Sequence, residues 1–135
     1  MGTSRWYLMW MLIAGCALLA GCRDEGTTIW SKEARSPDGY WLATARTKQW
    51  SGPGTAYVAT SVYLKRTNGP KDEIEVLEFS HEDTPRMYLA MDWVTPKHLD
   101  VTYGSRATID FQAIKCCGID ITARDVSNET SKATP

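Results

Sequence analysis

Two adjacent cysteines, Cys116 and Cys117, are the sharpest chemical feature of this 135-residue chain. Neighbouring side chains of a strand point to opposite faces of a sheet, so a disulfide between them needs a turn and a strained ring. Gly118 follows the pair and permits such a turn. Three states stay open: a vicinal disulfide, two buried reduced thiols and one intermolecular bridge. We favour inert core thiols, because free cysteine is among the most buried residue types and because C-x-x-C spacing is absent.

The two histidines do not predict a metal or catalytic site. His81 precedes Glu82 and Asp83, and a solvated loop is the better interpretation of this stretch. The spacing to His98 does not fit the H-E-x-x-H helix that binds zinc, and Pro85 disfavours a helix. The chain also lacks the G-x-S-x-G, P-loop and dinucleotide-binding fingerprints. We therefore expect no catalytic residue, no metal and no cofactor, and a protein that is not an enzyme.

Most aromatic residues of the chain are expected in the core or in cross-strand pairs, whereas Trp50 lies beside a loop. Gly52, Pro53 and Gly54 follow it, and together they indicate a loop. An exposed Trp on a loop is a candidate recognition anchor. The alternative, a Trp folded over the edge of a sheet, fits the sequence equally well.

The first 21 residues carry the features of a secretory signal helix. Arg5 precedes an uncharged stretch from Trp6 to Ala20. That stretch is shorter than the roughly 20 apolar residues of a membrane-spanning helix, and its length fits the apolar region of a signal.

The sequence Leu-Ala-Gly-Cys at residues 19–22 resembles the lipobox of bacterial lipoproteins. The resemblance implies cleavage before Cys22, a diacylglycerol on its thiol and an acyl chain on its freed amine. Cys16 follows a similar sequence, but an apolar run after a cleavage site is unusual, so we expect lipidation at Cys22. In enteric-type lipoproteins an Asp after the cysteine retains the protein in the inner membrane. Arg23 therefore implies the outer membrane, facing the periplasm, if the host is diderm.

The composition gives no electrostatic reason to expect binding of nucleic acid. After residues 1–21 are removed, 14 basic side chains face 16 acidic ones, which gives a net charge of about −2. Anionic headgroups would not attract such a chain either, so the expected contact with the membrane is through the acyl chains alone.

The rest of the chain predicts an all-β fold, a small antiparallel sandwich or partial barrel of about seven short strands. Residues 22–32 are polar and predict a tether, residues 33–125 a single β domain, and residues 126–135 a flexible tail. Apolar alternation slips between Val76 and Leu77, which indicates a bulge or an edge. The expected strands are Tyr40–Thr47, Tyr57–Lys65, Glu73–Phe79, Met87–Val94, His98–Tyr103, Thr108–Ile114 and Gly118–Arg124.

Part of this domain resembles one blade of the β-propellers in TolB-type proteins. Ser36-Pro37-Asp38-Gly39 matches the turn that leads into a blade strand, and the Trp93-x-x-Pro96 stretch resembles the turn into the next blade. Repeat folds need about three units to bury a core, and this chain has room for one, so a propeller is not expected. The arrangement is more similar to small bacterial lipoprotein families of unknown function.

Three hypotheses about function follow from these observations. The leading hypothesis is a non-enzymatic, lipid-anchored module of the cell envelope that binds another envelope protein or a cell-wall component. The second is a small periplasmic redox protein or enzyme that uses Cys116 and Cys117. A third is an inhibitor of a foreign hydrolase, with a protruding loop around Trp50 as its contact.

Cys22→Ala should abolish acylation and signal processing, because the lipobox thiol is the acceptor of the lipid. Expression in a diderm bacterium with a palmitate analogue, followed by detection of the labelled protein, measures this. Cys16→Ala is the matched control and should keep the label. Label retained in Cys22→Ala but lost in Cys16→Ala would reverse the assignment.

Overall fold

The computed structural model describes residues 26–52, 57–81, 87–104 and 107–127. The predicted signal segment, Cys16 and Cys22 lie outside these residues. The described part of the chain folds into strands joined by turns. It contains no helix that is long and apolar enough to cross a membrane. The strands are β1 (Thr27–Arg35), β2 (Trp41–Trp50), β3 (Tyr57–Arg66), β4 (Ile74–His81), β5 (Tyr88–Thr95), β6 (His98–Gly104), β7 (Thr108–Gln112), β8 (Lys115–Cys116) and β9 (Ile119–Asp125).

Two sheets form a sandwich, which confirms the all-β prediction. The first sheet has the order β1-β2-β3-β4-β7, and all its pairs are antiparallel. The second has the order β5-β6-β9-β8, and within it β6 and β9 run parallel. An all-antiparallel arrangement was expected. The parallel pair arises because the chain crosses to the first sheet as β7 between these two strands.

Strand β1 is the main departure from the predicted organisation. Residues 27–32 were expected in the tether, yet Thr27–Arg35 pairs along β2 from Thr27 opposite Gln49 to Arg35 opposite Leu42. The strand lies at the edge of its sheet and is mostly exposed, so it shows no apolar alternation. Trp30 and Ala34 alone among its residues pack against the core.

The core is a single apolar layer between the inner faces of the two sheets. One face of the layer includes Leu99, Val101 and Tyr103 of β6 and Ile119 and Ile121 of β9, which are all buried. Leu89 and Met91 of β5, with Met87 just before that strand, lie on the same side of the core as β6 and β9. The first sheet supplies the opposite face, and its buried members include Ala43, Ala45, Val62, Leu64, Val76, Leu77 and Phe79.

The predicted irregularity in β4 is a β-bulge. Val62 pairs with Leu77, but the next residue of β3, Tyr63, pairs with Glu75, which leaves Val76 as the additional residue. Val76 and Leu77 are both fully buried, because the bulge turns two consecutive side chains toward the core.

The predicted strand over residues 108–114 is divided between the two sheets. β7 ends at Gln112 beside β4, and the Ala113 amide donates to the Val76 carbonyl at 2.9 Å. The chain then passes to the second sheet, where the Ile121 amide donates to the Ile114 carbonyl at 2.9 Å and β8 pairs with β9.

Phe79→Ala should lower the free energy of unfolding by about 3–5 kcal/mol, because it leaves a cavity at a fully buried position. Urea unfolding of the full chain in detergent measures the change. Phe111→Ala is the matched control: Phe111 lies on β7 and is 46% exposed, so its loss should cost about 1 kcal/mol or less. Equal losses in the two variants would contradict this packing.

Candidate functional site

One end of the sandwich, which we name the turn end, gathers four turns. They join β1 to β2, β3 to β4, β5 to β6 and β8 to β9. The register places them together, because Trp41 at the start of β2 pairs with Arg66 at the end of β3. In the second sheet, the Asp120 amide donates to the Lys97 carbonyl at 2.9 Å, which brings the last two turns together.

The Ser-Pro-Asp-Gly stretch predicted as a turn is held by its own side chains. The Ser36 hydroxyl donates to Asp38 Oδ1 at 2.6 Å and accepts from the Trp41 amide at 2.9 Å. The Asp38 carboxylate also accepts from the Tyr40 amide at 3.1 Å. The hydroxyl of Ser36 thereby lowers the pKa of Asp38. Gly39 has φ +76°, a left-handed conformation that glycine adopts without strain.

The turn after β3 is attached to this first turn. Thr67 donates its hydroxyl to the Gly39 carbonyl at 2.6 Å and its amide to the Tyr40 carbonyl at 3.0 Å. The Arg66 guanidinium lies over the Trp41 ring, 5.3 Å from its centroid. Such a cation–π contact fixes the position of a charge at the surface.

A basic concavity opens beside Arg66 on the turn end. Its volume is about 580 Å³. Among the described residues that line it, Arg35, Lys65, Arg66 and Lys71 are cationic and none is acidic, and the others are Leu42, Thr67 and Gly69. Convergence of these cations raises the local positive potential although the whole chain is slightly acidic.

Arg66 also borders a second concavity of about 540 Å³. Its lining is mixed and includes Tyr40, Trp41, Lys97 and Cys117. Tyr40 is 64% exposed. Trp, Tyr and Arg are the residue types that carry most binding energy at protein interfaces, so the turn end has the composition of a contact surface.

Cys116 and Cys117 belong to the same end. Their Sγ atoms are 3.2 Å apart and both thiols are free in this structure. The expectation that both are buried is wrong for Cys117, which is exposed, whereas Cys116 is half-buried against the core. The reason is local: Cys117 has φ +56° and begins the turn after β8, so its side chain leaves the sheet. Burial, with the hydrogen bond to Cys117, raises the pKa of the Cys116 thiol to about 11.

Trp50 lies at the opposite end of the sandwich, which we name the Trp50 end. Its ring stacks on Tyr57 with centroids 4.4 Å apart and planes 3° from parallel. The ring also covers Gly26, where an added Cβ would come within 2.6 Å of it. Gly52 is exposed, and Pro53 and Gly54 lie outside the described residues. Recognition by this loop stays a prediction.

The histidines lie in different sheets, His81 at the end of β4 and His98 at the start of β6. A ring nitrogen of His98 is 3.1 Å from the Thr122 hydroxyl. Glu82 and Asp83 lie outside the described residues. Among the described residues, no group of three or more His, Cys, Asp or Glu side chains is arranged to hold a metal ion.

The chain matches no protein-family model, no characterised protein and no solved structure.

Sequence reasoning did not find the basic concavity, because its cations are far apart along the chain. The register explains the convergence: Arg35 pairs with Leu42, and Leu42 pairs with Lys65, so the three lie side by side across β1, β2 and β3. Arg66 and Lys71 add their charges from the end of β3 and the following turn. The alternation along each strand shows which polar side chains share a face. The register between strands is also needed to show that these cations are neighbours.

Glu73 is the acidic residue beside this concavity. Its carboxylate accepts from both terminal nitrogens of Arg46, one at 2.7 Å, and its Oε1 is 3.6 Å from Lys65 Nζ. The hydrogen bond from Arg46 is the main cause that lowers the pKa of Glu73 below its ordinary value of 4.5. Glu73 thus compensates Arg46 and part of the charge of Lys65.

Glu73→Gln should reduce the dependence of stability on pH. Because the folded pKa of Glu73 lies below the unfolded value, the ion pair stabilises the fold above about pH 4.5 and is lost as the pH falls through the lowered pKa. The variant should be about 0.5–1 kcal/mol less stable than the parent protein at pH 7. The difference in unfolding free energy should disappear at the low-pH end of the range. Urea unfolding between pH 7 and pH 3 measures this.

Glu78→Gln is the control with the opposite sign. Burial, with Glu75 and Asp110 nearby, raises the pKa of Glu78, so its charge disfavours the folded state at neutral pH. This variant should be at least as stable as the parent protein at pH 7. Destabilisation by both variants with the same pH profile would contradict the two assignments.

Proposed function

We propose that this protein is a non-enzymatic, lipid-anchored module of the cell envelope whose turn end binds an acidic segment of another envelope protein. The observation that carries the binding part is the concavity lined by Arg35, Lys65, Arg66 and Lys71. The lipobox-like sequence before Cys22 motivates the anchoring.

The position of the anchor supports the choice of the turn end. Gly26 follows Cys22 by four residues, a path of at most about 14 Å. Gly26 lies under Trp50, so a lipid on Cys22 would hold the Trp50 end close to the membrane surface. β2 has 10 residues and spans about 30 Å from that end to the turn end. The basic concavity would then point away from the membrane, where a partner can reach it.

The chemistry of the surface favours a protein partner. Cations in a concave site attract carboxylates and increase the rate of encounter. Exposed Tyr40 and the Arg66–Trp41 pair add the aromatic contacts that peptides use, and guanidinium groups form paired hydrogen bonds with carboxylates. A carbohydrate or phosphate polymer of the cell wall would be an alternative result of the experiment below.

Inhibition of a foreign hydrolase through the Trp50 loop receives no support from the described residues. Trp50 is half-buried, and its ring is occupied by Tyr57 and by the backbone at Gly26. An inhibitor of this kind needs a side chain that projects into the enzyme.

A photo-reactive residue at Tyr40 should crosslink one discrete envelope protein in living cells. Tyr40 is 64% exposed at the turn end, and Tyr88, 61% exposed where β5 begins opposite the last residue of β6, is the matched control. Mass spectrometry of the crosslinked product identifies the partner. Crosslinking at Tyr88 and not at Tyr40, or a polymer in place of a protein, would overturn the proposal.

The double variant Arg66→Glu, Lys71→Glu should remove the Tyr40 crosslink, since it reverses two of the charges that line the concavity. A tenfold loss of yield or more is expected. The double variant Lys32→Glu, Lys48→Glu makes the same change in net charge at residues of β1 and β2 outside the concavity and should leave the yield unchanged. An equal effect of the two changes would indicate a response to net charge alone.

A further inference from the structure

The cysteine pair differs from an ordinary buried thiol pair in its placement. The Sγ atoms are already 3.2 Å apart, and a disulfide needs about 2.05 Å, so a shift of roughly 1.2 Å would close the bond. Cys117 is exposed, and it borders two concavities of the turn end, of about 270 and 540 Å³. A molecule bound at that end can therefore reach one of the two sulfurs.

The backbone around the pair is arranged for this approach. Cys117 is the only residue other than glycine with a positive φ among the described residues, at +56°, and Gly118 follows at +80°. A left-handed conformation in a residue with a Cβ costs roughly 1–2 kcal/mol, and such costs concentrate at functional sites. In an extended strand the two thiols would point to opposite faces, so this turn is what brings the sulfurs together.

The two thiols differ in a way that assigns them separate roles. Cys117 is exposed and accessible to a partner, whereas Cys116 is half-buried and packs against the core. The pKa of Cys116 is raised to about 11, so little of it is thiolate at neutral pH. Because an external disulfide can reach the exposed Cys117 and not the half-buried Cys116, Cys117 is the attacking thiol.

We propose that Cys116 and Cys117 form a dithiol–disulfide exchange site, in which Cys117 attacks a disulfide presented at the turn end and Cys116 resolves the product. This exchange goes beyond the non-enzymatic binding role proposed above: it adds a thiol reaction at the same end of the molecule, and neither depends on the other.

The exchange balances in two steps. The Cys117 thiol loses its proton to water, and its sulfur attacks one sulfur of the external disulfide. A mixed disulfide forms, the external S–S bond breaks, and the leaving thiolate takes a proton from water. The Cys116 thiol then loses its proton to water and attacks Cys117 Sγ. The mixed S–S bond breaks, the second external sulfur leaves as a thiolate that takes a proton from water, and the bond between Cys116 and Cys117 closes the ring. The two protein thiols are oxidised to one disulfide, and the external disulfide is reduced to two thiols.

The resulting disulfide should be easy to reduce. Adjacent Cα atoms are about 3.8 Å apart across a trans peptide, and ordinary disulfides span about 4.4–6.8 Å. The closed ring is therefore strained, and strain shifts the equilibrium toward the dithiol. The site would thus readily transfer its disulfide to another dithiol, rather than act as a permanent crosslink that stabilises the fold.

The test uses the full chain in detergent with glutathione disulfide as the probe, followed by alkylation, digestion and mass spectrometry. The peptide that holds residues 116 and 117 distinguishes this pair from the other two cysteines. In the parent protein it should lose two hydrogens, and an excess of reduced glutathione should reverse the change. Cys116→Ser should stop at a glutathione adduct on Cys117. Cys117→Ser should form an adduct on Cys116 at least tenfold more slowly.

The outcomes separate clearly. A stable glutathione adduct on the parent protein without ring closure would overturn the exchange site, and so would a closed ring that resists excess reduced glutathione. Equal adduct rates in the two single variants would overturn the assigned roles. The parent protein alone decides the first two points, so they stand even if a variant folds poorly. Loss of the Tyr40 crosslink would leave these results untouched, which keeps the two proposals distinguishable.

Discussion

The ladder between β2 and β3 is the interaction on which both ends of the molecule depend. It runs without a register shift from Trp41 opposite Arg66 to Trp50 opposite Tyr57. The same ladder therefore places the guanidinium of Arg66 on one Trp and the ring of Tyr57 on the other. A slip of one residue would turn Val62 and Leu64 away from the core, so burial of the inner face fixes the register and, with it, both surfaces.

The sequence predicted those parts of the fold in which alternation is undisturbed. β6 and β9 carry apolar side chains at every second position, and the slip at Val76 was visible because two apolar residues stand side by side. β1 was missed because an edge strand with little burial has no such pattern. The parallel pairing of β6 with β9 was missed because period-two alternation does not encode which neighbour a strand takes.

The candidate site was predicted only in part, for a related reason. The Ser36–Gly39 turn and the cysteine pair are local features that can be read from consecutive residues. The exposure of Cys117 depends on a left-handed backbone at one position, and the basic concavity depends on register across three strands. Nonlocal geometry of this kind is set by packing between the sheets, which residue types alone do not specify.

The path of the chain between β6 and β9 has a consequence for the order in which the protein folds. β1 to β4 form a meander of neighbouring hairpins, whose contacts close short loops and can form early. The centre of the second sheet joins His98 to Asp120 and Tyr103 to Asp125, and the chain between these strands includes β7, which lies against β4 in the other sheet. Loop-closure entropy delays such distant pairings. The short β8–β9 hairpin, which carries the two cysteines, closes a small loop of its own, so the two sulfurs can come together before this hairpin takes its place beside β6.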